Sequence, residues 1–155
     1  MSKYNIERFL PEQEYDYLTA FREMEAGHKQ SHWIWYIFPQ LRGLGTSHMS
    51  KTFGIQDINE AREYLAHPVL GPRLIDITQV ILNGDDDDPV YLMNGKIDAM
   101  KLRSSMTLFA EISPEGSVFH RVLDKYFGGK KDSETLRLLA GKNHDSKHNS
   151  ADIPS

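Results

Sequence analysis

The chain has 155 residues, 39% hydrophobic and 26% charged, with a formal net charge of -4 and no cysteine. That composition belongs to a globular domain. It excludes disulfides, thiolate nucleophiles and cysteine-based zinc sites, and it offers no basic field for non-specific nucleic-acid binding. The N-terminus is charged almost from its start and lacks the apolar core of a signal peptide. The longest apolar run, Trp33–Phe38, falls far short of the ~20 residues that span a bilayer. The expectation is a cytoplasmic protein with neither a membrane nor a nucleic-acid partner.

Taken in order, Asn5–Leu10 reads as a short helical turn. Pro11 opens a longer helix, because its missing N–H would be unpaired at a first helical position anyway. Leu18, Phe21 and Met24 recur at helical spacing beside Tyr17, and Gly27 supplies the left-handed residue that closes such a helix. Ser31 then stands where a cap would precede a helix over His32–Phe38. The aromatic and β-branched WIWYIF stretch favours a strand by propensity. No second alternating run exists to pair with it, so a short buried helix ending at Pro39 is the expectation. Gly43 and Gly45 mark a loop to about Gly54.

Asp57 and Glu60 have capping-box spacing ahead of a helix over Ile58–Ala66. Pro68 starts another, with Leu70, Leu74, Ile77 and Ile81 on one stripe and Asn83-Gly84 at its end. The acids Asp85–Asp88 form a solvated loop before a helix start at Pro89. Ile97–Ile112 reads as a helix with Leu102, Met106 and Phe109 on one face. Val118, Phe119, Val122, Leu123 and Tyr126 make an amphipathic stripe that stops at Gly128-Gly129. Asp132 or Ser133 caps a last short helix through Leu139. From Lys142 onward the chain is polar and without periodicity, which predicts disorder. The reading is all-α: a single multi-helical domain of about seven helices over 1–141, with a disordered tail over 142–155.

Four segments carry a recognisable pattern: GHKQSHWIWYIFPQLRGLG, REYLAHPVLGPRLID, KIDAMKLRSSMTLF and GGKKDSETLRLL. The chain resembles the bacterial family known as domain of unknown function 1810, over about Phe9 to Gly141. K-x-S-H-W-x-W-x-I-F-P-Q, at Lys29–Gln40, is the most specific part. The resemblance implies a multi-helical fold. It implies no activity, so no catalytic residue is carried over from it.

The residues that could carry function concentrate in Gly27–Lys51. Lys29, Ser31, His32 and Trp33 join a cation, a hydroxyl, an imidazole and an indole at an expected helix start, where free N–H groups favour an anion. His32 is the candidate acid or base. Either tryptophan could stack on a base or sugar, or fill the core; for Trp35 the core is favoured. Gln40, Gly45, Ser47 and Ser50 lie in a Gly/Ser-rich loop of a kind that presents N–H groups to phosphate, although neither a dinucleotide fingerprint nor a P-loop is present. On the Ile97–Ile112 helix, Lys101 and Ser104 share a flank, and Ser105 falls on the apolar face. His28 and His32 have a spacing used by metal ligands, but Gly27 and Ser31 should put them on different elements, so no metal and no particular cofactor is expected. The expected function is binding of a small phosphorylated or nucleotide-like anion in a polar pocket around Lys29–Trp33, with hydrolytic or transfer chemistry open. The rival is a non-enzymatic protein-interaction module. A homo-oligomer fits either.

Overall fold

Helix α1, Phe9–Ala26, begins directly after a 3-10 turn at Ile6–Arg8, so the two predicted pieces run together. Pro11 sits in its first turn, where no intrahelical N–H bond is lost. The helix ends where Gly27 turns left-handed at φ 81°. Its inner face is Phe9, Gln13, Ala20 and Met24. Of the expected stripe, Met24 is buried and Phe21 packs against the core, but Leu18 is exposed.

The computed structural model describes residues 3–141, and the tail expected over 142–155 lies outside the described residues. Among the described residues every regular element is helical. Helix α2 is Ile34–Ile37, α3 His48–Phe53, α4 Ile58–Ala66, α5 Leu70–Leu82, α6 Pro89–Met93, α7 Lys96–Ala110 and α8 Val118–Phe127. A ninth helix, α9, covers 133–141. Three of the nine are short; the other six account for most of the roughly seven expected.

The predicted caps largely form. Asp57 accepts from Glu60 N, and the Glu60 carboxylate reaches back to Gln56 N. Asp88, last of the acidic run, accepts from Val90 N at the start of α6. Asp132 caps α9 through Thr135 N as expected, and Ser117, which the sequence did not single out, caps α8. Two expectations were wrong. The 43–54 stretch is not all loop, because Ser47 caps a helix there by accepting from Ser50 N. Ser31 caps nothing: α2 is one turn long and starts without a side-chain cap.

Helix α7 lies at the centre, packed by α6 and α8 and touched by α2 and α4, while α5 joins α1, α4 and α8. The core is aromatic where these meet. Tyr64 packs edge-on to Phe9 and tilted against Phe109, which in turn meets Phe119. Gly71 is required at the α4–α5 turn, since a Cβ there would lie 2.0 Å from the Leu65 carbonyl oxygen. The 40–54 segment is closed by a parallel bridge, with Arg42 N donating to Ile55 O and Ile55 N to Gln40 O. This bridge, between two buried residues, closes the loop that carries Gln40 and Gly45.

Candidate functional site

The Lys29–Trp33 segment is organised by a residue that motif reading passed over. Glu23, in the last two turns of α1, accepts from Gln30 N at 2.8 Å, Ser31 N at 2.9 Å, Ser31 Oγ at 2.6 Å and Trp33 Nε1 at 2.9 Å. Burial opposes its charge, but these donors outweigh that, and the carboxyl is lowered from 4.5 to about 2. A lone Glu on a helix gives no sequence signal for such a role, since its partners arise only when the chain doubles back after Gly27.

Lys29 is buried, its Nζ 2.9 Å from Asp98 Oδ2 on α7 and 5.0 Å from the Trp33 ring centroid. It also donates to the Ser31 carbonyl, and its backbone N–H bonds Leu92 O at the end of α6. Trp33 is fully buried. Lys29, Ser31 and Trp33 thus spend their polar groups within the fold. His32 is exposed, and its carbonyl accepts from Tyr36 Oη. His28 bonds Tyr91 O and stacks on its ring, away from His32. Among the described residues no three His, Cys, Asp or Glu side chains gather to hold a metal.

Asp98 links this segment to a groove. Its second oxygen lies 3.7 Å from Lys101 Nζ, one turn along α7. Lys101 in turn stands 5.1 Å above the Trp35 ring. A groove of about 270 Å³ opens there, walled by Gln40 and Gly45 from the loop and Lys101 and Ser104 from α7. Leu44, Ile97 and Met100 add apolar surface, and Asp132 and Glu134 form the edge at α9. So the structure gathers Gln40, Gly45, Lys101 and Ser104. Ser50 sits beside them, in a niche with Trp35 and Gln40. Ser47 is exposed at its cap, and Ser105 is fully buried on the inner face of α7.

The groove's hydrogen-bonding capacity is limited. Ser104 Oγ already donates to Met100 O at 3.0 Å. Asp132 is occupied by Thr135, and Glu134 by Arg137. Among the described residues no group bonds the Gln40 carboxamide. One indole and one hydroxyl, Trp35 Nε1 and Ser105 Oγ, are buried without a partner among the described residues.

This is a helical domain with a small amphipathic groove beside its central helix. A model of the family described as protein of unknown function (DUF1810) matches residues 3–139, and the chain belongs to that family. It is also similar to a conserved hypothetical protein, Rv1873 from Mycobacterium tuberculosis, whose crystal structure superposes with a TM-score of 0.86 at 40% identity, covering 90% of this chain and 99% of that one. No curated protein matches. No helix among the described residues is long and apolar enough to cross a membrane.

Proposed function

We propose that the protein binds a small organic anion in the groove between the Gln40–Gly45 loop and α7, with Lys101 as the cation that meets it. The observation that supports this is the sharing of one carboxylate, Asp98, between two ammonium groups. Lys29 holds it closely from inside; Lys101 holds it loosely from the groove wall. Lys101 therefore keeps charge to offer a ligand, while the Leu44 side chain and the Trp35 ring beside Lys101 lower the local dielectric and strengthen such a contact. Phosphorylated and nucleotide-like anions are among the classes to test. The reading is one of binding: His32 stands outside the groove, and no chemistry is assigned to it.

Thermal unfolding against a panel of carboxylates, inorganic phosphate, AMP, NAD and ADP-ribose tests the proposal. A ligand present at 100 times its dissociation constant stabilises by about 2.7 kcal/mol. A shift with one anion class, lost in Lys101→Ala, is expected; no shift with any member refutes it. The interaction-module reading draws support from Ile97 and Met100, 73% and 59% exposed at the groove's lip. It predicts association in sedimentation velocity that Ile97→Lys abolishes.

A further inference from the structure

Resting on that binding reading, we propose that the groove takes a monocarboxylic acid with a compact apolar body and discriminates against phosphate esters and nucleotides. Charge is the first reason. The charged side chains that line the groove are one cation, Lys101, and two acids, Asp132 and Glu134. That lining carries no positive surplus to hold a dianion. One loosely paired ammonium remains, which suits a single negative charge.

Donor geometry is the second reason. No arginine lines the groove, so the fork that holds phosphate oxygens in pairs is missing. Ser104 gives its proton to Met100 O and can only accept from a ligand. The side-chain donors left are Lys101 and the Gln40 carboxamide, one for each oxygen of a carboxylate. A phosphate would leave oxygens unpaired beside Asp132 and Glu134.

Size and polarity are the third. About 270 Å³ is under the ~300 Å³ at which pockets begin to enclose drug-sized ligands, too little to enclose a dinucleotide. Leu44, Ile97 and Met100 present carbon to whatever lies beyond the charged end.

The test is calorimetric titration of the full chain with benzoate, hexanoate, hexanamide, phenyl phosphate and AMP at one ionic strength. The two carboxylates should bind at least about tenfold more tightly than phenyl phosphate, AMP or the neutral amide. Lys101→Met should weaken benzoate about tenfold with the far-UV circular dichroism unchanged. Ile97→Glu, at a mostly exposed lip position, should do the same with Lys101 intact. Phenyl phosphate or AMP binding as tightly as benzoate overturns this narrowing and leaves the anion reading standing. Hexanamide equal to hexanoate overturns both, as does no binding by any probe.

Discussion

Replacing Glu23 with glutamine removes a charge while keeping the size and one carbonyl acceptor. In the native protein the carboxylate takes four hydrogen bonds from Gln30, Ser31 and Trp33. A carboxyl at about 2 instead of 4.5 corresponds to about 3.4 kcal/mol in favour of the ionised form, at 1.36 kcal/mol per pH unit. Glu23 is partly exposed, so solvent screening reduces this to about 2 kcal/mol. Glu23→Gln should therefore lower stability at pH 7 by about 2 kcal/mol, or roughly 4–8 °C in Tm for a chain of this size. Because the folded value is depressed, the contribution is fully present above the unfolded value of 4.5 and is lost as pH falls towards about 2. The gap between wild type and Glu23→Gln, measured by urea unfolding, should shrink to less than half of its pH 7 size by about pH 3. A gap that stays constant from pH 7 to pH 3, or one below about 0.5 kcal/mol at pH 7, would refute the claim that ionic hydrogen bonds hold this segment.

Other substitutions probe the same architecture. Asp98→Asn leaves the buried Lys29 ammonium without its counter-charge and should destabilise by about 3 kcal/mol in denaturant unfolding. Adding Lys29→Met should recover most of that, and a second mutation that merely adds its own loss would contradict the pairing. Gly71→Ala drives a methyl into the Leu65 carbonyl at 2.0 Å and should cost about 3 kcal/mol, seen as a lowered urea midpoint. Asp57→Ala removes both a helix cap and the acceptor of Tyr4 Oη at 2.7 Å; a loss of about 1–2 kcal/mol is expected, and a change below 0.5 kcal/mol would show that the cap is dispensable.

Local signals decided the helices. Gly27, Asp57, Asp88 and Gly128 each mark a helix end by chemistry confined to a few neighbouring residues, and each stands where its type predicts. The amphipathic stripes of α5 and α8 are likewise legible, because a 3.6-residue period needs no knowledge of the partner helix. The short helix at His48–Phe53 was missed: glycines on both sides of it argue for a loop, and one serine cap outweighs them only once Phe53 is buried against Phe9 and Tyr36. Richness in chemical groups marked the Lys29–Trp33 motif, but could not reveal that Glu23 and Asp98 use those groups internally. Those partners are 7 residues or more away along the chain, and they meet only after the chain turns back beyond α1 and α7 packs against α2. The same holds for the groove. Gln40, Gly45, Lys101 and Ser104 carry no shared pattern in sequence; they meet because the loop closed by the Leu41–Ile55 bridge lies beside one face of α7. Sequence by itself determined which stretches coil and which side chains are available; the tertiary packing alone decided which of those side chains are consumed in holding the fold and which are left facing a cavity.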